Sequence, residues 1–281
     1  MTISEILINA SKVLKDHGIH EPRREASSLL EHALQKNRTF LIAHPEYVLE
    51  KSERKRFFSF VERRSGREPF HYIVGHKEFY GLDFEITPDV LIPRPETEML
   101  VQHSIEILQE IEIPVFCEVG VGSGCISISI LSEVESSSAV GLEISENARA
   151  VAKRNAKRHH VANRLKLMHS NIYSALEIER FDLIVSNPPY VPAADIARLE
   201  PEVRDFEPHL ALTDGGDGLS IIKTIVGESK EFLKSGGFLL IEIGIGQADA
   251  VRHMLEPALW QIVEILPDFQ AIPRMVRAQR R

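Results

Sequence analysis

The pattern of apolar and polar positions changes character twice along the chain. From residue 1 to about 75, apolar residues recur every three or four positions. Ile6, Leu7, Ala10, Val13 and Leu14 form one stripe, and Ala26, Leu29, Leu30 and Ala33 form another. That spacing predicts amphipathic helices. KSERKRFFSFVERRSGR, 51–67, is a further helical stretch, basic and ending at a glycine. Such a charge run reads as a solvated helix face, or, functionally, as a contact for an RNA or protein partner. In 77–92, KEFYGLDFEITPDVLI, aromatic and β-branched residues take over, with turn signals at Gly81 and Pro88. This predicts a β-hairpin or extended linker. PRPETE, 93–98, blocks and then opens a helix, with Thr97 and its neighbouring acids suited to a first turn.

Beyond Pro114, short apolar runs alternate with amphipathic ones. VFCEVGV, AVGLEI, RLKLMHS, FDLIVS and GFLLIEIG read as strands; ISISILSEV, ENARAVAKRNAKRH and GLSIIKTIVGESKEFLK read as helices. The alternation predicts a parallel sheet covered by helices. WQIVEIL and RMVRAQ, separated only by PDFQAIP, predict an antiparallel pair closing the sheet. Three parts are expected: a helical domain over 1–75, a hairpin linker over 76–92, and an α/β domain over 93–281.

Composition narrows the classes. With 281 residues, 43% hydrophobic and 26% charged, the chain reads as a soluble globular protein. No apolar run approaches the roughly 18 residues needed to cross a membrane. The first residues are amphipathic and carry acids, unlike a signal peptide. Cys117 and Cys125 are too few and wrongly spaced for a zinc site or a disulfide framework, so no metal is expected and a reducing cytoplasm is. The net charge of −8 is unevenly spread: +3 over residues 1–75 and −11 over 76–281. An acidic body argues against DNA or bulk RNA as partner and suits a basic protein.

Candidate chemistry sits at the strand ends. EVGVGSG, 118–124, follows the first strand of the α/β part and opens a helix, and glycines there let a ligand approach backbone amides. The dehydrogenase spacing Gly-x-Gly-x-x-Gly fails, because Cys125 takes its third position. Glu143 ends the next strand, where a carboxylate accepts both hydroxyls of a ribose or, more plainly, starts a helix ahead of Ser145. SNPPY, 186–190, stops a strand with two prolines and holds Asn187 extended at its tip. Asn187 offers a side-chain carbonyl and Pro188 a backbone carbonyl, enough to accept both N–H groups of a planar amide. Tyr190 suits packing on such a group, and positioning then supplies much of the rate.

Glycine loop, acidic strand end and NPPY, in this order, resemble the class I S-adenosylmethionine-dependent methyltransferases that act on planar nitrogens. GREPFHYIVGHKEFYGLDFE (66–85), VLIPRPETE, FEPHLAL, DGGDGL and LIEIG further resemble the protein-(glutamine-N5) methyltransferases of peptide chain release factors, the PrmC/HemK family. The resemblance covers most of the chain and is weakest over 1–60. It implies a seven-stranded Rossmann-like sheet with a terminal antiparallel hairpin, preceded by a small helical domain that recognises substrate. It implies methyl transfer from S-adenosylmethionine, leaving S-adenosylhomocysteine, to the glutamine of the Gly-Gly-Gln motif of class 1 release factors, by a cytoplasmic monomer in translation termination. Gly120, Val121, Gly122, Ser123 and Gly124 then hold the methionine end, and Glu143 the ribose. Asn171 and Ile172 stand at the adenine, where many members have an acid and a bulky or aromatic residue. Asn187, Pro188, Pro189 and Tyr190 form the catalytic tip, Asn187 also facing the cofactor, with Phe79 and Arg94 added on the substrate side. Competing readings are an adenine- or guanine-directed nucleic-acid methyltransferase, a ribosomal-protein glutamine methyltransferase, and a non-catalytic adenosine-binding module.

Overall fold

The computed structural model describes all 281 residues. They form two compact units: Met1–His76 with Glu200–Phe206, and Lys77–Leu199 with Glu207–Arg281.

The first unit is helical, with helices Ile3–Asp16, Pro22–Leu34, Arg38–Ala43, Lys51–Ser65 and Phe70–Val74. Thr2 and Glu5 form a reciprocal capping box that fixes the start of the first helix. The two predicted stripes meet in one core, where Ile6, Leu14, Leu29, Leu30 and Phe57 lose essentially all solvent contact. The basic helix 51–65 spends part of its charge internally. Arg64 is buried and donates from Nε to Glu25 at 2.9 Å and from Nη1 to Glu202 at 3.0 Å, while Arg67 donates to the same Glu202 at 2.6 Å. Glu202 thereby ties Glu200–Phe206 to this unit, although the sequence pattern runs that segment within the continuous stretch 93–281.

The second unit begins, at Lys77, inside a hairpin of β1, His76–Phe79, and β2, Leu82–Glu85. Tyr80 (φ 51°) and Gly81 (φ 74°) make its two-residue turn, both in the left-handed region that such tight hairpins require. The main sheet contains β3 Val115–Val119, β4 Ser138–Glu143, β5 Leu165–His169, β6 Phe181–Ser186, β7 Leu233–Glu242, β8 Trp260–Pro267 and β9 Pro273–Arg280. Its order is β5-β4-β3-β6-β7-β9-β8, parallel as far as β7 and antiparallel across β9 and β8. The predicted parallel sheet and closing hairpin are both present. β6 is buried along its whole length, as expected of a central parallel strand covered on both faces. Strand order reverses between β3 and β6, and the crevice beyond the carboxyl ends of such a pair is where open α/β sheets take ligands.

Candidate active site

Strand register assembles the site. Val119 pairs with Leu142 on β4 and with Ser186 on β6, and Ser186 pairs with Ile241 on β7. One step further along each strand lie Gly120, Glu143, Asn187 and Glu242, in a single row at the carboxyl edge of the sheet. The Ser186 hydroxyl donates to the Val119 carbonyl at 2.8 Å, locking the two central strand ends together. Above this row lies a cavity of about 200 Å³ lined by the glycine loop, Glu143, Asn171, Ile172, Asn187, Pro188 and Pro189.

The glycine loop is shaped for a ligand at two positions and for packing at the third. Gly120 (φ 78°) and Gly122 (φ 55°) have open space where a Cβ would stand. Gly124 does not line the cavity; at φ 83° a Cβ there would lie 2.8 Å from Ile128 Cδ1, so glycine permits the loop to close onto its helix. Glu143 accepts from the Gly122 amide at 2.9 Å and the Ser145 amide at 2.8 Å. This acid therefore starts the helix ahead of Ser145 and also braces the loop beside the cavity. Below, Glu118 is buried and accepts from both the amide and the hydroxyl of Ser127. Burial outweighs these bonds and pushes its carboxyl up to about 8. Ile172, at the far end of the cavity, sits at φ 51°, an uncomfortable conformation for a β-branched residue. Its carbonyl accepts from the Ser170 hydroxyl at 2.7 Å, and the Asn171 amide donates to Ser174 Oγ at 3.0 Å, which holds the turn.

The tip after β6 is anchored on three sides. Asn187 Nδ2 donates to Thr97 Oγ1 at 3.0 Å, and Thr97 donates to Glu242 Oε2 at 2.7 Å. The Tyr190 hydroxyl donates to the other oxygen of Glu242 at 3.2 Å. Gln247 Nε2 donates to the Tyr190 and Gly218 carbonyls at 3.0 and 3.2 Å. The side-chain carbonyl of Asn187 and the backbone carbonyl of Pro188 keep their acceptor capacity. Gly218 (φ 79°) passes so close that an added Cβ would collide with the Tyr190 carbonyl oxygen and lie 2.9 Å from its carbon. Gly218→Ala is therefore expected to lower the melting temperature by several degrees and to slow transfer by displacing the tip. Thermal unfolding together with a methyl-transfer assay checks this. An unchanged melting point and rate would mean the contact relaxes freely.

Several expected site residues sit elsewhere. Phe79 is 1% exposed and outside the cavity. Its hairpin has a two-residue turn, so alternation puts Phe79 and Phe84 on one inward face, their rings 6.2 Å apart. The Phe79 ring, expected on the substrate side, thus packs against Phe84 and does not line the cavity. Tyr190 also turns away from the cavity lining, toward Glu242. Arg94 does reach the cavity, held by Glu207 at 2.5 Å. The linker hairpin has a structural function: Asn155 accepts from the Glu85 amide at 2.8 Å and donates to the carbonyls of Glu85 and Ser123 at 3.0 and 2.9 Å, joining hairpin, helix Glu146–Arg158 and glycine loop. Thr97 and Glu242 carry more than the sequence suggests; the visible signal was a lone acid in the apolar strand FLLIEIG.

Known proteins are similar to this chain. The PrmC N-terminal domain matches residues 5–75 and the methyltransferase small domain residues 97–199. The release factor glutamine methyltransferase of Geobacter sulfurreducens is 41% identical over 90% of this chain and 88% of its own length. That of Burkholderia pseudomallei is 42% identical over 89% of each chain. That of Clostridium acetobutylicum is 36% identical over all of this chain and 99% of its own. Among solved structures, the 16S rRNA N2 G1207 methyltransferase of T. thermophilus, in complex with AdoMet and guanosine, superposes with a TM-score of 0.55. It is 18% identical and aligns over 73% of this chain and 50% of that one, which shows a shared fold. With identity at this level running through both units, the chain belongs to the family of release factor glutamine methyltransferases.

Proposed function

We propose that the protein transfers the methyl group of S-adenosylmethionine to the side-chain amide nitrogen of the glutamine in the Gly-Gly-Gln loop of class 1 peptide chain release factors, as a cytoplasmic step in translation termination. The observation that carries this reading is the orientation of Asn187. Its amide nitrogen is engaged by Thr97, so its carbonyl is the group left for a substrate. Together with the Pro188 carbonyl it provides two acceptors on a rigid turn, matching the two N–H donors of a primary amide. An amide is a poor nucleophile, because its lone pair is delocalised into its carbonyl. Accepting both N–H groups holds the nitrogen in one plane and enriches it in electron density, and orientation of this kind accounts for large rate factors.

The residues present fit the cofactor. Open space beside Gly120 and Gly122 leaves room for its methionine end against backbone amides. Glu143 stands at the strand end suited to the ribose hydroxyls, and Asn171 and Ile172 line the part of the cavity left for the adenine. When bound, the sulfonium supplies an electrophilic methyl group. Val119, Ile126, Leu142 and Ile225 give the cavity an apolar wall. No strong base is required, because the methylated amide nitrogen is acidic enough to give its proton to water.

Incubation of the full chain with methyl-labelled S-adenosylmethionine and, separately, a release factor, ribosomal proteins or DNA tests the proposal. Label is expected in the release-factor peptide containing Gly-Gly-Gln and is expected to vanish when that glutamine is replaced. Label in ribosomal protein or DNA with none in the release factor would overturn it.

A further inference from the structure

We infer that Thr97 and Glu242 are positioning residues that fix which way the Asn187 amide faces, so that the ionised Glu242 carboxylate keeps the clamp in its accepting form. This rests on the reading of Asn187 as the acceptor for a substrate amide. The argument is one of hydrogen-bond parity. Thr97 has a single hydroxyl hydrogen. A carboxylate can only accept, so that hydrogen goes to Glu242, 2.7 Å away. Thr97 Oγ1 then has only acceptor capacity left, and the Asn187 side chain must turn its NH₂ toward it, at 3.0 Å. The carbonyl end is thereby directed to the substrate.

Reversing the first link reverses the last. A protonated Glu242 can donate to Thr97, which frees the threonine hydrogen for the Asn187 carbonyl. The amide then presents its NH₂ to the substrate, facing N–H groups with N–H groups. The second oxygen of Glu242 holds the Tyr190 hydroxyl, so one carboxylate steadies both ends of NPPY. Thr97 and Glu242 are 2% and 3% exposed, so water does not substitute for either partner.

The surroundings place this carboxyl near its switching point. Burial pushes it up, the hydroxyls of Thr97 and Tyr190 and the Arg274 guanidinium from β9 pull it back, Glu96 opposes them, and the balance lies at about 7. Cys125 also faces it, its thiol pushed up to about 12 by burial, and Arg94 acts on the neighbouring Tyr190. The sign is fixed by the parity argument. The ionised form, present above the carboxyl's pKa, is the accepting one, so kcat falls as pH drops through that value.

Thr97→Val keeps the shape and removes the hydroxyl. It is expected to lower kcat about ten-fold while S-adenosylmethionine affinity and the KM for release factor stay within about three-fold, the pattern of an interaction needed in the transition state. Thr97→Ser is expected to recover most of the rate. Glu242→Gln, which can donate at any pH, is expected to lower kcat and abolish the acid limb of its pH profile. Wild-type kcat in Thr97→Val, or a loss of rate matched by an equal loss of cofactor affinity, would overturn the inference. If Thr97→Val is recovered unfolded, Thr97→Ala carries the same reading. A wild-type protein that labels no release factor defeats the proposed function itself, whereas an active Thr97→Val defeats only the relay.

Discussion

Asn187→Ala is expected to lower the rate of methyl transfer by about 10²–10³-fold, the typical cost of losing one preorganised polar partner in a dry site, and to leave S-adenosylmethionine affinity within a few-fold. The separation of the two effects follows from where Asn187 is held. Its amide nitrogen is tied to Thr97 and the tip carrying it is fixed by Gln247, so removing the side chain leaves the glycine loop and Glu143 undisturbed. What is lost is the acceptor that orients the substrate amide, along with the partner of a buried threonine. Calorimetry with the cofactor and a single-turnover transfer assay separate binding from chemistry. Near-wild-type transfer would remove the clamp from the mechanism, and a parallel collapse of cofactor binding would assign Asn187 chiefly to the cofactor.

The second large effect is expected at Glu143. Alanine there removes the charged acceptor proposed for the ribose hydroxyls, worth about 1.5–3 kcal/mol, and also leaves the Gly122 and Ser145 amides without their partner. Cofactor affinity is expected to drop by about 10–140-fold, each 1.4 kcal/mol being ten-fold, while the sheet beneath stays folded because Glu143 ends its strand. Titration calorimetry on the variant measures this directly. Unchanged affinity would reduce Glu143 to a helix-start acceptor for Ser145. Glu143→Gln, which keeps one accepting oxygen, is expected to fall between the two.

What the sequence made legible was local. The apolar runs from VFCEV to RMVRAQ, the glycine loop and the proline-stopped strand are each written within a few consecutive residues, and each lies where its pattern implied. Parallel pairing then brought Gly120, Glu143 and Asn187 into one row without further information, since register follows once the buried strands align. The illegible parts were long-range. Thr97 looked like a helix-start residue because its partners lie 90 and 145 positions away. Phe79 was expected on the substrate side because its burial against the rest of the unit cannot be read from alternation in four residues. Gly124 looked equivalent to Gly120 and Gly122 because a close approach to Ile128 has no signature in the Gly-x-Gly-x-Gly spacing itself.

The spacing between Thr97 and Glu242 also sets an order of events during synthesis. The glycine loop and the NPPY tip leave the ribosome well before β7, and the carboxylate that orients Asn187 follows Thr97 by 145 residues. At about 5–20 residues per second that interval is roughly 7–30 s. A nascent chain at that stage therefore already carries Thr97, the glycine loop and Asn187 but lacks the carboxylate to which Thr97 donates. Glu242 takes its place only when the last parallel strand docks, and the antiparallel hairpin β8–β9 follows it in the chain.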